Sequence, residues 1–164
     1  FERIDIFHQF RIRLAQFAAL IHRSRGLFSA VIEANNLEDL KKLFTVTASG
    51  YWDNHFSFNK PSVHRKKVFG DQIFTLIVIN VVVPFYFLYG DNQNKLILKD
   101  RALEILEQMP AENNNLINRW AGAGIVAANA LESQALLQLQ RNYCEQKRCL
   151  DCTIGHKIIL HEPV

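Results

Sequence analysis

A run of 17 residues without a charge, IFTLIVINVVVPFYFLY (Ile73–Tyr89), constrains the fold of this chain more than any other feature. Its length reaches the lower limit for a membrane-spanning helix, and outside a membrane so apolar a segment must be buried. Asn80 and Pro84 interrupt the run, which favours a buried core element over a membrane span. We predict a helix over residues 72–89 with a kink at Pro84, and a buried strand as the alternative because IVINVVV is rich in β-branched residues.

Apolar residues at helical spacing elsewhere in the chain predict a mainly α fold. Leu14, Phe17, Ala18 and Ile21 follow the i, i+3, i+4, i+7 pattern and form the apolar stripe of an N-terminal amphipathic helix. Glycine (7 residues) and proline (4 residues) are scarce in 164 residues, which argues against the many turns of a β-sandwich. The sequence therefore predicts one domain over residues 1–164, a helical bundle with a cysteine-rich loop near its C-terminal end.

Start and stop signals place further helices along the chain. Asn36 is a candidate N-cap, with Asp39 at the third helical position to complete the cap. A later helix before Pro110 is predicted to turn Leu103 and Leu106 inward. The last strong helix is predicted from about residue 127 to residue 142.

All three cysteines lie in YCEQKRCLDCTIGH, which runs from Tyr143 to His156. An odd number of cysteines excludes a closed disulfide framework, and residues 1–10 do not have the pattern of a signal peptide, so we predict a reducing, cytoplasmic location. The spacing C-x4-C-x2-C-x3-H, filled by Cys144, Cys149, Cys152 and His156, suits the thiolate and imidazole ligands of a tetrahedral zinc ion. We predict a structural zinc site with these four ligands.

Three alternatives to this site remain open at the level of sequence. In place of His156, the fourth ligand could be His8, His55 or His161, or a group from a domain outside this chain. The C-x4-C-x2-C spacing also matches one type of iron–sulfur loop, although that site requires a fourth cysteine. The third alternative is three reduced thiols without metal. Catalytic zinc is disfavoured, because the sequence has no H-x-E or H-E-x-x-H motif.

Basic residues beside an aromatic loop suggest contact with nucleic acid. The loop TASGYWDNHFSFNKPS (Thr47–Ser62) carries rings on which bases could stack, or which could instead pin the loop to the core. The net charge of +3 is too small to imply nucleic acid by itself, so the argument depends on where the basic residues lie. The candidate contact residues are Arg65, Lys66, Lys67, Lys147 and Arg148.

Five stretches of the chain resemble a known family in the same order along the sequence. They are RIRLAQFAALIHRSRGLFS, YWDNHFSF, VVVPFYFLYG, LEQMPAENNNLINRW and ESQALLQLQRNYCEQKRCLDCTIG. Together they resemble the C-terminal part of a bacterial family catalogued as domain of unknown function 2851. The last stretch ends in Y-C-x4-C-x2-C-x2-G, in which Tyr143, the three cysteines and Gly155 match and His156 has no counterpart. The resemblance implies a further N-terminal domain in the same protein and brings no activity with it.

Three functions follow as hypotheses from these features. The first is a helical accessory domain, stabilised by zinc, that contacts nucleic acid. The second is a metal-free structural or protein-interaction module that contacts neither nucleic acid nor a membrane. The third is the C-terminal part of an enzyme whose catalytic residues lie in the N-terminal domain. Salt distinguishes the first two, because phosphate contacts weaken steeply as salt rises and an apolar interface does not.

Overall fold

The structure is a computed structural model that describes residues 6–160, with no side-chain detail for residues 6–9 and 158. The described part of the chain is mainly α, as predicted. It divides into two compact units, Phe1–Ala102 and Leu103–Val164, and the boundary lies within one helix. A single domain over residues 1–164 stays a prediction.

Within the described residues, the first unit contains five complete helices, a 3₁₀ turn, a π-helical turn, a small hairpin and the start of a sixth helix. Its elements are α1 (Ile6–Ser24), α2 (Leu27–Glu33), α3 (Leu37–Phe44), a 3₁₀ turn (Gly50–Asn54), β1 (His55–Ser57), β2 (Lys60–Pro61), α4 (Asp71–Ile77), a π-helical turn (Val78–Val82), α5 (Val83–Asn92) and α6 (Leu96–Gln108). The strands β1 and β2 are antiparallel, so the aromatic loop predicted from the sequence contains an ordered turn and hairpin.

The long apolar run forms one continuous helical segment from α4 through α5. The predicted helix is thus confirmed, and the strand alternative is wrong. The α-helical pattern gives way to the π-helical turn just before Pro84, where the N–H of Val83 bonds to the carbonyl of Val78. A wider turn suits this point because proline cannot donate a backbone hydrogen bond and its ring crowds the preceding turn. Among the described residues, the segment Asp71–Asn92 is long and apolar enough to cross a membrane, and 39% of its most apolar window is buried inside the protein.

The buried face of α1 differs from the apolar stripe that the sequence indicated. Ile12, Gln16 and Leu20 are buried, whereas Leu14 and Phe17 are exposed. Both faces carry apolar side chains, so spacing alone could not show which one packs against the rest of the unit. The helix itself is confirmed.

The end of α2 is held by two side chains from distant parts of the first unit. Tyr86 is fully buried, and its hydroxyl donates to the carbonyl of Val31 at 2.5 Å. Arg101 donates to the carbonyls of Ile32 at 3.1 Å and Ala34 at 2.7 Å. These donors add hydrogen bonds to carbonyls at the end of the helix, where regular intrahelical bonding stops.

The second unit contains the rest of α6, α7 (Asn115–Gly122), α8 (Ala130–Leu139), a π-helical turn (Gln140–Cys144) and α9 (Thr153–Ile159). Leu106 is buried as predicted, but Leu103 remains 40% exposed because Ile105 and Met109 take the buried positions. The last predicted helix is shorter than expected as an α-helix, since its final turn widens into the π-helical turn that ends at Cys144.

Side-chain caps begin two helices of the second unit. Asn114 accepts hydrogen bonds from the N–H groups of Leu116 and Ile117 at the start of α7. Asn129 accepts from the N–H of Glu132 at the start of α8. Such caps satisfy donors that the first turn of a helix leaves unpaired.

Candidate functional sites

Aromatic rings cluster in the first unit around the hairpin of β1 and β2. The rings of Tyr51 and His55 are stacked, with centroids 4.1 Å apart and planes 4° from parallel. Trp52 meets Phe58 edge-on at 5.1 Å. Phe58 lies in the turn that connects β1 to β2 and is 67% exposed, so much of its ring is open to solvent. We call residues 50–66 the aromatic hairpin.

Backbone hydrogen bonds hold the basic end of the aromatic hairpin against its 3₁₀ turn. The N–H of Ser62 donates to the carbonyl of Asn54 at 2.6 Å, and the N–H of Arg65 donates to the carbonyl of Asp53 at 2.8 Å. The ring of His64 bonds through Nδ1 to the side-chain oxygen of Asn54 at 3.0 Å. The segment that carries the basic residues therefore lies beside the turn that carries Tyr51 and Trp52.

The three predicted basic residues of this segment have different surroundings. Arg65 and Lys66 are exposed, and Lys60 of β2 is exposed as well. Lys67 is buried, and its amine donates to the carbonyl of Arg65 at 2.9 Å and lies 4.0 Å from the centroid of the Phe56 ring. Lys67 is thus engaged inside the protein and does not present its charge to a phosphate.

Lys67 also connects the hairpin segment to α1. Its backbone carbonyl accepts a hydrogen bond from the side-chain amide of Gln16 at 2.9 Å. Burial lowers the pKa of Lys67, the neighbouring charge of Arg65 lowers it further, and Asp53 acts in the opposite direction. The structure therefore gives Lys67 a packing role, which the sequence could not reveal because Gln16 lies 51 positions away.

The cysteine turn, residues 144–152, joins the π-helical turn to α9 in the second unit. Cys144 and Cys149 are exposed, and Cys152 is buried. The carbonyl of Cys152 accepts the N–H of His156 at 2.7 Å, so His156 lies one turn into α9. In the part of the chain that the structure describes, no group of three or more His, Cys, Asp or Glu side chains is close enough to hold a metal ion. The predicted ligands share one short segment but do not converge on one point.

Gly155 packs closely against the cysteine turn. A Cβ atom at this position would lie 2.6 Å from the carbonyl oxygen of Cys149 and 3.0 Å from its Cα atom. Only a residue without a side chain allows the first turn of α9 to approach the turn so closely. The close approach to Cys149 explains why the Y-C-x4-C-x2-C-x2-G pattern ends in glycine, which the spacing alone did not show.

Two predicted basic residues belong to the cysteine turn. Arg148 donates through Nε to a carboxylate oxygen of Asp151 at 3.1 Å, and its guanidinium lies 5.5 Å from the ring of Tyr143. Lys147 is exposed and has a φ of 53°. These residues lie in the second unit, whereas Arg65 and Lys66 lie in the first.

The other histidines considered as a fourth zinc ligand are engaged or lie outside the described residues. Nδ1 of His55 bonds to the carbonyl of Tyr51 at 2.7 Å, and its ring stacks on Tyr51. The side chain of His8 and the whole of His161 lie outside the described residues. The identity of a fourth ligand stays a prediction.

Comparison with known proteins identifies the family. Residues 8–115 match the family described as Protein of unknown function (DUF2851). The chain belongs to the DUF2851 family. The matched residues include most of α1 and the whole aromatic hairpin and end before the cysteine turn, so DUF2851 membership rests on the first part of the chain. No curated protein and no solved structure matches the chain.

Proposed function

We propose that this DUF2851 chain binds single-stranded nucleic acid through the aromatic hairpin. The observation that carries the proposal is the open ring of Phe58, next to Trp52 and on the same short segment as exposed Arg65 and Lys66. Proteins that bind single strands combine basic grooves that follow the backbone with aromatic rings on which bases stack. The hairpin offers both features within 17 residues.

The exposure and contacts of each side chain indicate its role in the proposed binding. Phe58 offers a ring face for one base, and such stacking contributes about 1–3 kcal/mol per base. Arg65 and Lys66 offer charge to adjacent phosphates, a contribution that is independent of sequence and weakens with salt. Lys67 is not among the proposed nucleic-acid contacts, since its amine is buried against Phe56. We therefore expect binding that is strongly dependent on salt and weakly dependent on base sequence.

The first prediction separates stacking from charge. Phe58→Ala should weaken binding to a labelled single strand of about 12 nucleotides by on the order of tenfold, without changing the dependence on salt. Replacing Arg65 and Lys66 together with Gln should reduce the slope of log affinity against log salt by about 1.4. Fluorescence anisotropy over a series of salt concentrations measures both effects.

Val63→Ala is the matched control, because Val63 lies in the same hairpin, is 88% exposed and carries neither a ring nor a charge. Its affinity should equal that of the unchanged protein. The proposal is wrong if the unchanged chain binds neither single-stranded nor double-stranded DNA or RNA at low salt. It is also wrong if Val63→Ala weakens binding as much as Phe58→Ala does.

We propose as a second candidate that the cysteine turn binds a structural zinc ion. The supporting observation is the contact of Gly155 with Cys149, which sets the backbone of one cysteine against the helix that Cys152 precedes. Binding requires the exposed thiols of Cys144 and Cys149 to turn toward Cys152, with His156 as the fourth ligand. An iron–sulfur cluster is the less suitable cofactor, because the sequence has no fourth cysteine.

The zinc proposal predicts about one zinc ion per chain and a lower melting temperature after chelation, because the free energy of metal binding adds to that of folding. Elemental analysis and thermal unfolding with and without chelator measure the two quantities. His156→Ala should lower both the zinc content per chain and the melting temperature, and His22→Ala, at an exposed histidine of the other unit, should change neither. Metal-free protein that melts identically with and without chelator would leave three ordinary thiols.

A further inference from the structure

The exposed face of α1 carries four large apolar side chains in a regular row. Phe10, Leu14, Phe17 and Ile21 are each between 46% and 65% exposed. They are separated by four, three and four residues, which places them along one side of the helix. We call these four residues the α1 stripe. Single exposed apolar residues are ordinary on a protein surface, but a contiguous row of large ones marks an interaction site.

Contacts on the opposite face keep α1 from rotating to bury the α1 stripe. Near the middle of the helix, Gln16 is buried and holds the carbonyl of Lys67 at 2.9 Å. At the C-terminal end, Arg23 donates to the carbonyls of Lys42 at 3.0 Å and Thr45 at 2.8 Å. The exposure of the α1 stripe is therefore a fixed property of the first unit.

The spacing of the α1 stripe indicates that its partner is a helix. Alternating steps of three and four residues are the a and d positions of a heptad, and such a seam packs against another helix. From Phe10 to Ile21 the seam extends about 17 Å, or roughly three helical turns. A helix that lays its own a and d residues along this row would cover the apolar surface.

The charge of α1 specifies the partner further. The helix contains no Asp or Glu from Ile6 to Ser24. Arg11 and Arg13 flank the α1 stripe at heptad positions e and g, and both are exposed, although one nitrogen of Arg13 donates to the side-chain oxygen of Gln16 at 2.9 Å. A partner helix with Asp or Glu at its flanking positions would pair with these arginines, whereas one with Lys or Arg would be repelled.

A second copy of α1 meets these requirements less well. In an antiparallel pair, e positions face e positions and g positions face g positions, so arginine is set against arginine. In a parallel pair, position g faces position e of the partner, and Arg13 would face Ala18 without an opposite charge. Neither arrangement gives an ion pair across the seam.

We propose that the α1 stripe is a docking site for a partner helix with an apolar a/d seam and acidic flanking residues. This proposal does not rest on nucleic-acid binding, because its four residues belong to α1 and none of them is part of the aromatic hairpin. It places an interaction surface on the part of the chain that matches the DUF2851 family.

The test uses two synthetic helical peptides of about three heptads with Leu at a and d. One carries Glu at every e and g position, and the control carries Lys there. The unchanged chain should bind the Glu peptide at least tenfold more tightly than the Lys peptide, measured by fluorescence anisotropy. Replacing Leu14 and Phe17 together with Glu should abolish binding of the Glu peptide, and Val63→Glu, on an exposed residue of the hairpin, should leave it unchanged.

Arg11→Glu tests the charge without changing the apolar row. It should weaken binding of the Glu peptide severalfold and strengthen binding of the Lys peptide. Circular dichroism of each variant checks that the helical fold is intact, since all the substituted residues are exposed.

Four results would overturn the proposal. The first is no binding of the Glu peptide by a chain that is folded, and the second is equal binding of the two peptides. The third is dimerisation of the chain in sedimentation experiments that the Leu14/Phe17 variant abolishes, since a second copy would then occupy the α1 stripe. The fourth is binding to anionic lipid vesicles that depends on the same two residues in a chain that does not bind the Glu peptide.

Discussion

Replacing Tyr86 with Ala is expected to lower the free energy of unfolding by about 3–5 kcal/mol, the range for removing a buried aromatic ring. Tyr86 is fully buried, so its loss leaves a cavity that the surrounding core fills only in part. The hydroxyl also donates to the carbonyl of Val31, near the end of α2. The substitution thus removes both a ring from the core and a donor from a helix end.

Tyr86→Phe separates these two contributions. The ring remains, and the carbonyl of Val31 loses its hydroxyl donor, which should cost about 1–3 kcal/mol. Arg101 still donates to the neighbouring carbonyls of Ile32 and Ala34, so the end of α2 should stay helical. Urea unfolding of the three proteins should therefore give free energies in the order unchanged, Tyr86→Phe, Tyr86→Ala.

The pH dependence of Tyr86 provides a second test of the same contact. Burial raises the pKa of Tyr86 above its ordinary value of 10.0, although the charge of Arg101 acts in the opposite direction. The unfolded chain therefore loses this proton first, and the contribution of Tyr86 to stability is present below about pH 10 and declines as pH rises above it. Tyr86→Phe should make the free energy of unfolding fall less steeply between about pH 9 and pH 11.

Lys67 also contributes to the pH dependence of the free energy of unfolding, and its contribution must be distinguished from that of Tyr86. Its pKa is lowered, so its contribution makes the folded state more stable as pH rises toward the ordinary lysine value of 10.5. The two residues thus act in opposite directions over the same pH range. The effect of Tyr86 is read from the difference between the unchanged protein and Tyr86→Phe, in which Lys67 is common to both. An identical slope in Tyr86→Phe and the unchanged protein would contradict the prediction.

Local signals in the sequence predicted the helices well. Asn36 caps α3 by accepting the N–H of Asp39, and Asp39 accepts the N–H of Asn35, because both partners lie within four residues of each other. The long apolar run is helical as well, although its β-branched residues left a strand open as an alternative. Helix formation depends on neighbours in sequence, and these are visible without a structure.

The sequence could not predict which side chains a helix buries. In α1 the exposed Leu14 and Phe17 are as apolar as the buried Ile12 and Leu20, so the choice of face depends on the rest of the unit. The same limit applies to the candidate site. The sequence placed aromatic and basic residues together in the hairpin, but the burial of Lys67 depends on packing that sequence spacing does not reveal.

Gly155→Ala is expected to disrupt the packing of α9 on the cysteine turn. The added Cβ would lie 2.6 Å from the carbonyl oxygen of Cys149, 3.0 Å from its Cα and 3.1 Å from its Cβ. Two of these three atoms belong to the backbone and cannot move aside by rotation of a side chain. The helix must shift, and forcing an extra carbon into a packed site typically costs about 1–3 kcal/mol.

Thiol reactivity reports this shift at the site itself. In metal-free protein, the exposed Cys144 and Cys149 should react quickly with a thiol reagent, and the buried Cys152 should react slowly. Gly155→Ala should make the third thiol react much faster, because Cys152 immediately precedes the displaced helix. Gly122→Ala is the matched control: an added Cβ there meets no atom within 4 Å, so melting temperature and thiol reactivity should stay close to those of the unchanged protein. If Gly155→Ala behaves as Gly122→Ala does, the close contact with Cys149 does not hold the cysteine turn in place, and the support it gives to a zinc site is lost.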